Sequence, residues 1–244
     1  MIITGIIPAR FASTRFPGKP LIDIDGKTMI QRVYEQAIKS KLINQVIVAT
    51  DSKEIFNCVK NFKGNAVLTS KNHKTGTDRI CEVARKIRSD IIVNIQGDEP
   101  FINPKDIDNA IKPLLKDDTL NVSTLAVELS NDINNVNKVK VVFDKNNNAL
   151  LFSRSLLPNN FKSIAKLIYY KHLGLYVYRR NFLLKFNKTR QTSIELAESL
   201  EQLRILWMGE KIRIVLTKED SISIDTKSDL RKIHNFINTR GKQK

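Results

Sequence analysis

Arg10, Arg15 and Lys19 form a run of cations near the start of the chain, and no acidic residue precedes Asp23. Ala9, Ala12, Ser13 and Gly18 lie between or beside them. Small side chains let a ligand approach the backbone, so peptide N–H groups can join the cations around an anion. Arg grips phosphate oxygens through its planar fork, and Lys acts as a point charge. Two carboxylates complete the set: Asp98, in Gln96-Gly97-Asp98-Glu99-Pro100, and Asp225, in Ile224-Asp225-Thr226. Cations facing one or two carboxylates suit a nucleoside triphosphate with Mg²⁺, which takes one or two carboxylates together with phosphate oxygens and water. Neither a Gly-x-x-x-x-Gly-Lys-Ser/Thr nor a Gly-x-Gly-x-x-Gly pattern occurs, which argues against a P-loop enzyme and a dinucleotide oxidoreductase.

Each of these residues also has a purely structural reading. Arg10 and Arg15 can sit in a solvated loop, and Asp98 can initiate a turn. Asp225 can open a helix before Thr226, and Asp51 reads as a helix N-cap before being a ligand. His172, in an aromatic stretch, reads as packed or hydrogen-bonded.

The elements that would position these groups alternate between strand and helix. Ile2–Ile7 is a short β-branched run suited to a strand buried on both faces. Met29, Ile30, Val33, Tyr34, Ala37 and Ile38 recur at helical spacing. Strands follow at Gln45–Ala49, Ala66–Leu68, Ile91–Ile95 and Asn121–Val127, with helices after Ser52, from Thr77 as N-cap, and over Pro104–Leu115. This is an α/β chain with a Rossmann-like, mainly parallel central sheet. Ligands of such sheets collect beyond the carboxyl ends of the strands, where the first loop, Asp98 and Asp225 all fall.

From about 128 to 185 the pattern changes. Lys138–Phe143, a turn at 144–148, Ala149–Phe152 and Lys171–Tyr178 read as an antiparallel excursion used for dimerisation. Thr192-Ser193-Ile194-Glu195 resembles a capping box opening a helix with Leu196, Leu200, Leu203 and Trp207 on one face. Lys211–Leu216 is a further strand, and Leu230, Ile233 and Ile237 mark a last helix. With no repeat and no long linker, residues 1–244 read as one domain.

The formal net charge is +16 at pH 7, mostly from Lys spread along the chain, with only the tail from Lys227 to Lys244 modestly clustered. Such a spread is not a phosphate-tracking patch, so no nucleic-acid partner is expected. No run is long and apolar enough to span a membrane, and no secretory leader is evident, so no membrane insertion is expected. Cys58 and Cys81 read as free thiols in a reducing cytosol.

The stretch Ile7-Pro-Ala-Arg-Phe-Ala-Ser-Thr-Arg-Phe-Pro-Gly-Lys-Pro20 closely resembles the signature loop of the 3-deoxy-manno-octulosonate (Kdo) cytidylyltransferases. Ala49-Thr-Asp51, Thr75-Gly-Thr-Asp-Arg79, Asn94-Ile-Gln-Gly-Asp-Glu-Pro-Phe101 and Phe152-Ser-Arg154 are similar to further family blocks, in order. So are Tyr170-Lys-His-Leu-Gly-Leu-Tyr-Val-Tyr-Arg179, Glu198-Ser-Leu-Glu-Gln-Leu-Arg204 and Ile224-Asp-Thr226. The Lys-His-Leu-Gly-Leu-Tyr and Glu-Gln-Leu-Arg blocks are the more specific, since the first loop is shared loosely with other sugar nucleotidyltransferases.

The resemblance implies a nucleotidyltransferase fold, a cytoplasmic homodimer, and CTP and Kdo as substrates with Mg²⁺ as cofactor. Position by position, Arg10, Arg15 and Lys19 would hold the triphosphate, and Asp98 and Asp225 would bind Mg²⁺. Ala9, Ser13, Thr69, Ser70, Gly76 and Thr77 would lie near the cytidine, and Arg79, in the same block as Gly76 and Thr77, would also bind substrate. Gln96, Arg154, His172, Tyr176, Glu201 and Gln202 would line the Kdo pocket. Two departures stand out: Thr75 replaces the family's usual Ser, and Lys227 replaces the Pro that usually follows Asp-Thr. A cytidylyltransferase for another acidic sugar, such as an acylneuraminate, and a non-catalytic nucleic-acid-binding protein remain the alternatives.

Overall fold

Ile3–Ala9 forms the first strand, β1, and nearly all of it is buried, as a β-branched run inside a parallel sheet must be. The fold is known from a computed structural model that describes residues 1–11, 16–161, 167–220, 223–224 and 229. The described residues group into two compact units, Met1–Ile107 with the segment from Ser221, and Asp108–Asp220.

In the first unit a 3₁₀ turn, Lys19–Leu21, leads to a small antiparallel pair, β2 (Asp23–Ile24) and β3 (Lys27–Thr28). Helix α1 (Met29–Ala37) follows, capped by Thr28, whose side chain accepts from the Gln31 N–H. It buries Met29, Ile30, Val33, Tyr34 and Ala37, the apolar stripe legible in the sequence. Then come β4 (Gln45–Thr50), α2 (Lys53–Asn61), β5 (Ala66–Leu68), α3 (Gly76–Lys86) and β6 (Ile91–Asn94). The strands lie in the order β6–β1–β4–β5, all parallel. The carboxyl ends of β1 and β6 are therefore neighbours. Helix α4 (Pro104–Lys116) carries the chain into the second unit.

The second unit contains β7 (Val122–Leu129), β8 (Lys140–Phe143), β9 (Ala149–Ser153) and β10 (Tyr169–Arg179). Helices α5 (Arg180–Phe186), α6 (Ser193–Glu198) and α7 (Gln202–Trp207) precede β11 (Ile212–Thr217). β11 runs parallel to β7, whereas β10 is antiparallel to β7, and β8 is antiparallel to both β10 and β9. The α/β class, the parallel pairing and the antiparallel strands within 128–185 are as the sequence leads one to expect. The turn at 144–148 closes on Asp144, whose carboxylate accepts from the N–H groups of Asn146 and Asn148.

Three local expectations are corrected. Asp51 does not cap α2; Ser52 does, accepting from the Ile55 N–H. Thr77 is not the cap of α3; Thr75 is, in a reciprocal capping box with Asp78. The helix expected from Thr192 does begin with a capping box, Thr192 with Glu195, but it breaks at Ser199, whose φ is 52°. Leu200 and Leu203 are buried, while Leu196 and Trp207 point to solvent. The helix expected around Leu230–Ile237 lies outside the described residues.

Candidate active site

The carboxyl ends of β1 and β6 deliver Pro8-Ala9-Arg10 and Gln96-Gly97-Asp98 side by side. A Cβ on residue 97 would lie 2.9 Å from the Pro8 carbonyl oxygen, so only glycine lets these loops touch. The loop after β1 closes on itself: Gly18, at φ 70°, donates its N–H to Phe11 O at 3.0 Å. Lys19 follows directly, with its Nζ 2.9 Å from Asp98 Oδ2. Ala9, Arg10, Lys19, Gly76, Gln96 and Asp98 all line one cavity of about 250 Å³.

Among the described residues the charges of this cavity are only partly balanced. Lys19 takes one oxygen of Asp98, while Oδ1 makes no hydrogen bond among the described residues. The Arg10 Nη2 is buried with no hydrogen-bond partner among them. A buried guanidinium nitrogen left this way is costly unless an anion reaches it. The Ile224 N–H donates to the Asp98 carbonyl oxygen at 3.0 Å, which ties the segment preceding Asp225 to the Asp98 loop. Asp225, Ser13 and Arg15 themselves lie outside the described residues.

Thr69, Ser70 and Arg79 are joined by hydrogen bonds. Arg79 is fully buried; its Nη1 donates to Thr69 Oγ1 and its Nη2 lies 2.6 Å from Asp51 Oδ2. Burial lowers its pKa and Asp51 counteracts this, while the charge of Arg10 lowers it further. Thr77 is buried in the first turn of α3, directly after Gly76.

The remaining expected residues belong to the second unit. His172 Nε2 is 3.0 Å from Thr124 Oγ1. Thr124 also lies 2.7 Å from the Leu175 carbonyl, at a bulge of β10 between Leu173 and Tyr176. Thr124 has one proton, and that carbonyl can only accept, so the imidazole Nε2 carries a hydrogen and donates. His172 packs edge-on to Phe152, ring centroids 5.1 Å apart, and 5.3 Å from Tyr176. Burial, reinforced by Lys171, lowers its pKa to about 3, so it stays neutral at ordinary pH. The Tyr176 hydroxyl is buried with no partner among the described residues, and burial together with the charge of Glu201 raises its pKa. Glu201 in turn pairs with Arg204 at 3.0 Å, and Gln202 is buried beside it in the sequence.

The Arg154 guanidinium grips backbone instead. Its Nε donates to Glu198 O at 2.7 Å and its Nη1 to Val136 O at 3.2 Å. The Arg154 carbonyl accepts from the buried Lys140 ammonium, whose pKa burial pushes down. Sequence reasoning did not single out Thr124, Lys140, Glu198 or Glu82. A hydroxyl inside an apolar strand and a charged residue at an inward position were the available signals.

Comparison with known proteins supplies independent findings. A family model described as cytidylyltransferase matches residues 4–212. The chain is 51% identical over 245 residues to the 3-deoxy-manno-octulosonate cytidylyltransferase of Geobacter metallireducens, covering 96% of each chain. It is 44% identical to the protein of that name from Protochlamydia amoebophila, over 96% of this chain and 94% of that one. The solved structure of CMP:2-keto-3-deoxy-manno-octonic acid synthetase complexed with CTP superposes with a TM-score of 0.95 at 39% identity, covering 98% of this chain and 100% of that one.

Proposed function

The chain belongs to the cytidylyltransferase family, and we propose that it transfers the cytidylyl group of CTP to Kdo, forming CMP-Kdo and releasing pyrophosphate. CMP-Kdo is a precursor for lipopolysaccharide. The observation that carries this reading is the cavity in which Lys19 and Asp98 meet Arg10, whose buried Nη2 has no hydrogen-bond partner among the described residues.

Arg10 and Lys19 hold the triphosphate and neutralise the pyrophosphate as it departs, with Arg15 as the third cation of the loop. The anomeric hydroxyl of Kdo attacks the α-phosphorus in line, and the bond to the bridging oxygen of pyrophosphate breaks. Charge stabilisation and positioning carry such a transfer, no side chain stands out as a dedicated base, and the proton of the attacking hydroxyl is lost to solvent. Mg²⁺ fits the donors present: Asp98, a partly exposed side chain, offers a hard carboxylate oxygen at the cavity, and Asp225 follows in the sequence a residue bonded to the Asp98 loop. When bound, the ion would neutralise charge on the phosphate oxygens.

Ala9, Ser13, Thr69, Ser70, Gly76 and Thr77 serve the cytidine. Gln96, Arg154, His172, Tyr176, Glu201 and Gln202 serve Kdo. A neutral His172, with Nε2–H committed to Thr124, keeps Nδ1 as an acceptor for a sugar hydroxyl. The Tyr176 hydroxyl, without a partner among the described residues, supports the same role.

Pyrophosphate release from CTP with Mg²⁺ is the test. Release is expected with Kdo, with little release when neuraminate replaces it or when no sugar is added. Release that ignores the sugar, or follows neuraminate, overturns the reading.

The reading extends to one cytoplasmic nucleotidyltransferase domain that works as a homodimer through the 128–185 surface. Among the described residues no helix is long and apolar enough to cross a membrane. Val136, Leu150, Phe161 and Ile168 expose apolar side chains in that stretch, which a partner copy would cover. Light scattering is expected to give twice the chain mass of 27.9 kDa, and a monomer at micromolar concentration would refute the dimer.

A further inference from the structure

Arg79 and Glu82 stand three residues apart on α3, a spacing that puts both on one face of the helix. They reach the backbone of the same residue, Ser70. Arg79 Nη1 donates to the Ser70 carbonyl at 3.4 Å as well as to Thr69 Oγ1. Glu82 Oε2 accepts from the Ser70 N–H at 2.9 Å and lies 2.6 Å from His73 Nε2. The carbonyl and the N–H of Ser70 are thus held from one helix by opposite charges.

The rest of the loop is tied by the same helix. β5 ends at Leu68, so residues 70–74 belong to no strand. At the far end, Thr75 joins α3 through its capping box with Asp78. Asp51 keeps the buried Arg79 charge balanced at 2.6 Å, and Lys86, 2.6 Å from Glu82 Oε1, does the same for Glu82. Burial alone would raise the Glu82 pKa, but the bonds from Lys86, the Ser70 N–H and His73 outweigh it and hold it at about 2. The clasp is therefore charged throughout the working pH range.

We propose that Arg79 and Glu82 are positioning residues that clasp the loop 69–75 and aim it at the nucleoside end of CTP. This rests on the reading of the cavity as a CTP site. The phosphate end is marked by Lys19, Asp98 and Arg10, whereas the clasped loop leads to Gly76 on the cavity wall. Arg79 can only donate, so its bond occupies a lone pair of Thr69 and leaves the Thr69 proton to be given elsewhere. A neutral hydroxyl held in this way suits the uncharged acceptor edge of a pyrimidine better than a phosphate. Full burial keeps Arg79 from meeting substrate itself.

The test compares CTP with inorganic tripolyphosphate, which lacks the nucleoside, in calorimetric binding and in steady-state kinetics. Glu82→Ala is expected to weaken CTP binding and raise its KM about tenfold, the value of one lost charge-assisted hydrogen bond. Its kcat is expected to stay within about twofold, as for a loss of ground-state binding. Tripolyphosphate affinity is expected to be unchanged. Glu82→Gln, whose amide oxygen still accepts from the Ser70 N–H, is expected to recover most of the CTP affinity. Equal weakening of both ligands in Glu82→Ala, whether by local damage or by unfolding, overturns the clasp, as does unchanged CTP affinity. Because binding is read without turnover, a wild-type protein that binds CTP but ignores Kdo would refute the acceptor assignment and leave the clasp standing.

Discussion

Asp98→Asn is expected to abolish most turnover, by roughly 10²–10³-fold, while leaving the fold intact. The substitution keeps the size of the side chain and removes only its charge. The Asp98 side chain is about one-third exposed (32%), and the backbone bond from the Ile224 N–H to the residue 98 carbonyl does not depend on it. The loss of its ion pair with Lys19 costs little stability, because partly exposed pairs contribute at most about 1 kcal/mol. The chemical cost is larger. An amide offers Mg²⁺ a neutral oxygen, and the Lys19 ammonium loses the carboxylate that fixes it 2.9 Å away. Two measurements separate these effects. If the metal role dominates, the Mg²⁺ concentration for half-maximal rate rises steeply in Asp98→Asn and stays near wild type in Lys19→Met. Wild-type turnover of Asp98→Asn at saturating Mg²⁺ would end the assignment of this carboxylate to catalysis.

The cavity residues could be found from sequence because their signals are local. A β-branched run followed by cations and small residues marks a strand end, and strand ends of a parallel sheet share one edge. Arg10, Lys19 and Asp98 therefore had to be close once the alternation of strand and helix was recognised. Long-range polar pairing carries no such signal. Thr50-Asp51-Ser52 offers two residues able to cap a helix, and nothing nearby says that Ser52 takes the cap. Asp51 is then left for Arg79, 28 positions away in the chain. The stretch after Thr192 misled for a different reason. Its apolar spacing continues through Ser199, but the chain turns there into the left-handed region and starts a second helix. Tertiary contacts overrode the periodicity, with Arg154 holding the Glu198 carbonyl and the Ser153 hydroxyl donating to the Glu198 carboxylate. His172 answers both of its readings, since it is packed and hydrogen-bonded yet stands beside a buried Tyr176 hydroxyl that has no partner among the described residues.

Glu195→Leu is expected to lower stability by about 3–5 kcal/mol, the usual consequence of removing one member of a buried ion pair. Glu195 and Arg204 are both nearly inaccessible, with Arg204 Nε 3.1 Å from Glu195 Oε2. That contact is electrostatic, because the Nε–H is not aligned for a hydrogen bond. Glu195 also accepts from the Thr192 N–H at 3.2 Å, so the capping box fails with it. Arg204 would keep the Thr189 carbonyl at 2.7 Å, the face of Phe186 at 4.3 Å and the Glu201 carboxylate at 3.0 Å, but Glu201 is partly exposed and offsets the buried charge less than the inaccessible Glu195 does. For a chain of this size the loss corresponds to a fall in Tm of about 10 °C. Adding Arg204→Met should recover much of it, since an apolar pair of similar volume often replaces a buried ion pair at little cost. Function should not recover in parallel. The double variant has no guanidinium to hold Glu201, so the KM for Kdo is expected to rise several-fold while that for CTP stays near wild type. A stable double variant with unchanged affinity for Kdo would make Arg204 purely structural and would remove Glu201 from the acceptor site.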